Sequence, residues 1–187
     1  MDLPFKQSFR ILVHDRTGHA FPVQLSRELA HRGHQVLHSY GAFFQAPKGD
    51  LLKHPTDPAS FSVEGIQLDQ PFQKYAFVKR WFQEREYARR LVAQIHQYDP
   101  EVLILAQLMP DAQAYVYRHL KKGQRKVIFW VQDLYGIAIQ KLLRKKFAIL
   151  GDLIGSYYIQ VERRLLKQSD AIVLITEDFR PVLTQWG

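Results

Sequence analysis

Residues Val127 to Val131 read VIFWV, an apolar run with no polar alternation. A strand with one face in water alternates between apolar and polar. A run that is apolar throughout suits a strand buried on both faces, as in a parallel sheet covered by helices. Phe9 to His14 (FRILVH), Gln35 to Tyr40 (QVLHSY), Val102 to Ala106 (VLILA) and Ala171 to Ile175 (AIVLI) also read as strands. Phe61 to Leu68 (FSVEGIQL) alternates and reads as a third strand, with Gly65 its weak point.

Helical segments separate these runs. Phe21, Leu25 and Leu29 fall four apart within Phe21 to Arg32, Pro22 suits the first turn, and Gly33 stands at a capping position. Phe72 to Tyr98 carries Phe77, Trp81, Ala88, Leu91 or Val92, and Ile95 at helical spacing, with Lys79, Arg80 and Arg85 on its other face, and Asp99-Pro100 stops it. Further helices are predicted over Asp111 to Lys122, Tyr135 to Leu150 and Leu153 to Lys167, with Gly151 as a break, and Thr176 opens a last one. Gly41 to Ser60 holds three prolines and is a long loop, of the kind that is functional or mobile in compact domains. The alternation predicts an α/β fold, Rossmann-like, with a mostly parallel sheet and helices on both faces.

Chemistry in such sheets sits beyond the carboxyl ends of the strands. After Val131 come Gln132, Asp133 and a turn at Tyr135-Gly136. An Asp there is either a site residue or only the N-cap of the next helix. After the first strand come Thr17, Gly18 and His19, then a helix; backbone N–H groups at a helix N-terminus attract anions. With Gly18 alone, G-x-G-x-x-G is absent and no dinucleotide fingerprint exists. His14 and His19 flank this loop and are within reach of a ligand, although His14 also reads as a plain strand-end residue. G-x-S-x-G and the P-loop are absent as well. No histidine pair has ligand spacing with a third donor near, so no metal site is expected.

The chain has no cysteine, which excludes disulfides and thiolate chemistry and fits a reducing compartment. Its net charge of +8 points to polyanionic partners without choosing among them. No run long enough to span a bilayer and no signal leader is expected. Lys141, Arg144, Lys145 and Lys146 lie among Ile137, Ile139, Leu142, Leu143 and Phe147. Such a segment either lies in a membrane interface, where each basic residue adds about 1 kcal/mol, or is a surface helix with snorkelling lysines.

Several stretches in this order and spacing carry a family resemblance: strand one with its glycine turn, Ser26 to Val36 (SRELAHRGHQV), Pro100 to Gln113 (PEVLILAQLMPDAQ), VIFWVQDLYG, and Val161 to Gly187. Together they resemble the N-terminal half of a family 4 glycosyltransferase of GT-B architecture. The resemblance implies that residues 1–187 are one acceptor-side domain, with a C-terminal donor domain absent. The whole enzyme would move a sugar, with retention, from a nucleotide-sugar donor to a glycan or lipid-linked acceptor, with no other cofactor. Many relatives carry a histidine where Gln132 stands; some branches lack it and keep the aspartate, so the resemblance implies Asp133 as the candidate catalytic residue, orienting the acceptor hydroxyl or lining the cleft. Thr17, Gly18, His19, Gln132, Tyr135 and Glu177 would line the acceptor cleft, beside Gly18 and Asp133. Lys79, Arg80, Lys141, Arg144, Lys145 and Lys146 would dock the domain on an anionic membrane surface. The setting implied is cytoplasmic, peripheral to the inner face, with no nucleic-acid partner. The alternative is a non-enzymatic basic α/β module that binds nucleic acid or anionic membrane.

Overall fold

A computed structural model of the chain describes residues 7–73, 76–106, 108–120 and 123–187, without the side chains of residues 77, 146 and 148. Lys122 and the side chains of Phe77 and Lys146 thus lie outside the described residues. Six strands form one sheet: β1 (Arg10–Asp15), β2 (Gln35–Gly41), β3 (Phe61–Ile66), β4 (Val102–Ala106), β5 (Lys126–Val131) and β6 (Ala171–Leu174). Their order is β3-β2-β1-β4-β5-β6 and every pairing is parallel, so the fold is Rossmann-like α/β with a parallel sheet throughout. The helices are α1 (Ala20–His31), α2 (Phe77–Tyr98), α3 (Pro110–His119), α4 (Tyr135–Gln168) and α5 (Arg180–Trp186).

The two faces of the sheet bury different sets of side chains. Leu12 lies in register with Leu37 and Leu103, and these pack against Leu91 and Ile95 of α2 and Val116 of α3. On the opposite face Ile11, Val13, Val36 and Ile104 pack against Val23 and Ala30 of α1. Phe129 and Val131 complete the first face against Leu165 and Leu166 of α4. The sidedness follows from handedness. The chain steps one way along the sheet from β1 to β2 and the other way from β4 to β6, so right-handed crossovers fall on opposite faces. Each fully buried leucine in these layers contributes about 1.5–3 kcal/mol.

Several boundaries differ from the sequence expectation. Helix α2 begins at Phe77, and α3 ends at His119, short of the left-handed Gly123 at φ 78°. Trp81, placed by periodicity on the core face of α2, is exposed, and Tyr87 takes the fully buried place instead. The long loop after β2 is tied to α1: Arg27 donates to the carbonyls of Asp50 and Leu52 and pairs with Asp57 at 3.0 Å.

Helix α4 holds the largest departure. Tyr135 and Gly136 start the helix and form no separate turn, and Gly151 does not interrupt it. The 34-residue helical segment instead doubles back on itself. A Cβ placed on Gly136 would come within 2.7 Å of Ile159 Cα, and one on Gly155 within 2.5 Å of Gln140 Cα. In a straight helix Gly136 and Ile159 would stand about 35 Å apart. The contacts converge on a turn near Phe147, which makes α4 an antiparallel helical hairpin. Gly136, Gly151 and Gly155 are where its two backbones meet, and only glycine leaves room there. Arg144 and Asp152 pair at 3.5 Å across the turn. Among the described residues no helix is long and apolar enough to cross a membrane.

Candidate functional site

A parallel sheet brings the ends of all its strands to one edge. The strand order reverses between β1 and β4, so the loops that follow them diverge and leave a crevice at that edge. The loop after β1 forms one wall. Asp15 is fully buried, and its carboxylate accepts the Thr17 hydroxyl at 3.0 Å and the His19 backbone N–H at 2.5 Å. Gly18, at φ 76°, makes the turn, and its carbonyl accepts the Gly49 N–H at 2.7 Å. Of the N–H groups at the N-terminus of α1, that of His19 is thus taken by the carboxylate of the protein's own Asp15, as in a plain βα turn. Thr17 is buried, and its hydroxyl lies 2.7 Å from His19 Nδ1. The His19 ring stacks on Phe21, which in turn meets Trp130 of β5 edge-on at 5.4 Å.

Arg16 points the other way, into the protein. Its guanidinium is buried, pairs with Glu84 of α2, and lies 4.4 Å over the Phe44 ring. Arg80 approaches the same carboxylate at 3.7 Å. Burial raises the Glu84 pKa against the pull of Arg16 and Arg80. His14 does not reach a ligand. It is fully buried between Ser39, at 2.9 Å, and the Tyr87 hydroxyl, and burial, then His38 and Arg16, lower its pKa to about 3.

The loop after β5 lies at the same edge, one strand further along. Gln132 is 8% exposed, and neither polar atom of its amide has a hydrogen-bond partner among the described residues. Asp133 is exposed. Tyr135 is half-buried, and its phenol is pushed up to about 12, first by burial and then by the Asp133 charge. The charges of Arg16, Glu84 and Asp15 also act on Tyr135. Beneath it lies Glu162 of the returning arm of α4, 2% exposed, which accepts the N–H groups of Tyr135 at 3.0 Å and Gly136 at 2.9 Å. Burial raises the Glu162 carboxyl to about 7, with the Asp133 charge adding to the shift.

The expected cleft residues are thus divided. Tyr135 feels the charges of Asp133, Arg16 and Asp15, while Thr17, Gly18 and His19 build the β1 turn. Glu177 stands apart, in a short 3-10 turn after β6, exposed and paired with Arg180 at 2.6 Å. A partly open cavity of about 530 Å³ lies elsewhere, between α2, α3 and the α4 hairpin. Tyr135 lines it, but Thr17, Gly18, His19, Gln132 and Asp133 do not.

Of the basic residues, Lys79, Lys141, Arg144 and Lys145 are exposed, while Arg80 is half-buried and engaged with Glu84. Beside them Phe147, Ile149, Leu150 and Leu153 leave the hairpin tip apolar, with Ile149 79% exposed. No cluster of three metal-ligating side chains occurs among the described residues. Asp15, Arg16, Glu84 and Glu162 carry no motif in the sequence, because α2 and the hairpin bring them in from far along the chain. The chemistry at the edge is an exposed carboxylate and a protonated phenol, a pair suited to hydroxyl groups, whereas the Gln132 amide, expected in the cleft, is buried with both polar atoms out of reach of solvent.

No protein-family model and no curated protein matches the sequence. Among solved structures the chain is similar to the NAD complex of the Bordetella bronchiseptica enzyme WbmG, with a TM-score of 0.48, 13% identity and coverage of 92% of this chain and 54% of that one. The chain thus spans about half the length of that structure.

Proposed function

We propose that the chain is the acceptor-side domain of a retaining glycosyltransferase, which moves a sugar from a nucleotide-sugar donor to a hydroxyl of a glycan or lipid-linked acceptor. The observation that carries this reading is the Asp15 carboxylate on the N-terminus of α1. A Rossmann-type domain that holds a nucleotide offers free N–H groups to the diphosphate at that turn. Here a phosphate would meet the Asp15 carboxylate, with the Thr17 and His19 N–H groups already engaged by it. The nucleotide then belongs to another domain, and this edge is left for a neutral polyol. In that role Asp133 accepts from the acceptor hydroxyl and orients it. Tyr135 donates to a neighbouring oxygen. Acting as a base, Asp133 would have to come within about 2.6–3.2 Å of the proton it takes.

The exposed apolar and basic tip of the α4 hairpin favours a place at an anionic membrane surface on the cytoplasmic side. The same feature supports a second reading, a non-enzymatic membrane-binding module. Backbone amide NMR separates the two. Oligosaccharides and glycolipids, titrated onto the chain, are expected to shift Gly18, Asp133 and Tyr135 saturably, and UDP-sugars and NAD to leave Gly18 unmoved. Saturable nucleotide binding at Gly18, or sugar transfer by this chain alone, would refute the acceptor-side assignment. Response to anionic lipid with none to any sugar would favour the module.

A further inference from the structure

The cavity between α2, α3 and the α4 hairpin has about 530 Å³ of space, within the roughly 300–1,000 Å³ of small-molecule sites. Its walls are overwhelmingly apolar: Ala88 and Trp81 on α2, Ala112 on α3, Ile139 and Leu143 on the outgoing arm of the hairpin, and Ile154 on the return. The polar groups among its lining are mostly committed. The Tyr158 hydroxyl donates to Asp111 at 2.7 Å, and Glu84 is held by Arg16 and Arg80. A peptide in this space would strand its backbone N–H and C=O groups, whereas a hydrocarbon chain needs no partners. The cationic side chains that line it are Arg80 and Arg85, the latter with its guanidinium 4.5 Å over the Trp81 ring. Leu142 lines the cavity and is also 60% exposed, so the apolar wall continues onto the bare tip formed by Phe147, Ile149 and Leu150.

We infer that this cavity takes the hydrocarbon chain of an anionic, phosphate-bearing amphiphile drawn from a membrane, with Arg85 on its head group. The inference rests on the acceptor-side reading for one point, that the chain is the tail of the acceptor. Tyr135 is the join, since it lines the cavity and stands beside Asp133.

The test is isothermal titration of the 187-residue chain with dodecyl phosphate below its micellar concentration, against dodecyl maltoside and inorganic phosphate. Saturable binding of dodecyl phosphate is expected, without competition from inorganic phosphate. Ala138 lines the cavity from an exposed position, so Ala138→Trp fills the space without disturbing the core. That variant is expected to bind at least tenfold more weakly. Arg85→Glu is expected to weaken dodecyl phosphate about tenfold and to leave dodecyl maltoside unchanged. No saturable binding, or equal binding by Ala138→Trp, overturns the inference. Should Ala138→Trp fail to fold, a dibrominated stearate serves instead. It is expected to quench the emission of Trp81, because Trp130 and Trp186 do not line the cavity. Equal quenching in Trp81→Phe overturns the inference. The two readings fail separately. Chain binding that survives while no sugar acceptor binds removes the acceptor assignment alone, and sugar binding without chain binding removes the cavity's.

Discussion

Glu162 and Gly136 stand 26 positions apart in the chain and are joined by a 2.9 Å hydrogen bond from the Gly136 N–H to the Glu162 carboxylate. That bond closes the base of the α4 hairpin and seats the first turn of the helix behind Asp133. A carboxylate at a helix N-terminus is favourable, yet burial raises the Glu162 pKa from 4.5 to about 7. A raised acid stabilises the fold below its unfolded pKa, and the contribution fades as pH rises through the folded value. Glu162→Gln does not titrate. The stability of the native sequence relative to this variant is expected to fall between pH 4.5 and about 7, by at most about 1.4 kcal/mol per pH unit. Denaturant unfolding at several pH values measures it, and a flat difference would remove the assigned shift.

The hairpin also depends on bare backbone. Alanine in place of Gly155 gains about 1 kcal/mol of helix propensity, but its Cβ would press on Gln140 Cα at 2.5 Å, which is a backbone atom and cannot rotate away. Overpacking of this kind costs about 1–3 kcal/mol, so sterics win. Gly155→Ala is expected to lower the thermal midpoint by about 2–4 °C per kcal/mol of net loss. An unchanged or raised midpoint by calorimetry would mean that the two arms do not touch there.

Acid should unfold the core through its histidines. Burial first, then the Arg27 charge, lowers His38 from 6.5 to about 3, and His14 is lowered to a similar value. Both stay neutral in the fold and take up protons once unfolded. Their contribution is present above pH 6.5 and is lost as pH falls toward 3. The expected slope is up to about 1.4 kcal/mol per pH unit for each histidine. His38→Asn keeps a polar atom for the Ser26 hydroxyl, 2.9 Å from His38 Nδ1. It is expected to halve the steepness of this acid limb, as read by urea midpoints between pH 4 and 7.

How far the sequence reveals this arrangement depends on the range of the interaction. Strands β1, β2, β4 and β5 are legible because burial leaves an apolar run, whereas β6 carries such a run although it is exposed, and their common direction follows from the helices between them. The site's edge is legible for the same reason, since Gln132 and Asp133 follow a buried strand. What stays hidden is set by contacts between distant residues. Gly151 looks like a helix breaker locally but is a point of close approach in the folded chain. Asp15 looks like a loop residue, although its carboxylate fills the turn that Gly18 seems to open. Glu162 belongs to a helical repeat whose register against Gly136 appears only when the hairpin closes. Trp81 keeps the period of a core residue and lines a cavity, because the facing element is an apolar wall that stands off from α2.

The bare tip of the hairpin leads to the last prediction. Phe147, Ile149, Leu150 and Leu153 are exposed there beside Lys141 and Lys145. Charge alone would make binding to anionic vesicles vanish with salt, because the screening length drops from about 10 Å at 0.1 M to about 3 Å at 1 M. Apolar insertion alone would ignore salt. With both present, co-sedimentation with phosphatidylserine-rich vesicles is expected to be strong at low salt and to weaken as salt rises. Ile149→Glu removes the most exposed apolar side chain of the tip, 79% exposed, and adds a charge of the wrong sign. It is expected to abolish sedimentation at low salt while leaving the thermal midpoint unchanged, since Ile149 packs on little. Native chain that stays in the supernatant at low salt with acidic lipid would rule out membrane docking by this surface. Equal sedimentation of the Ile149→Glu chain would assign the binding to the basic face of α2 around Lys79 instead.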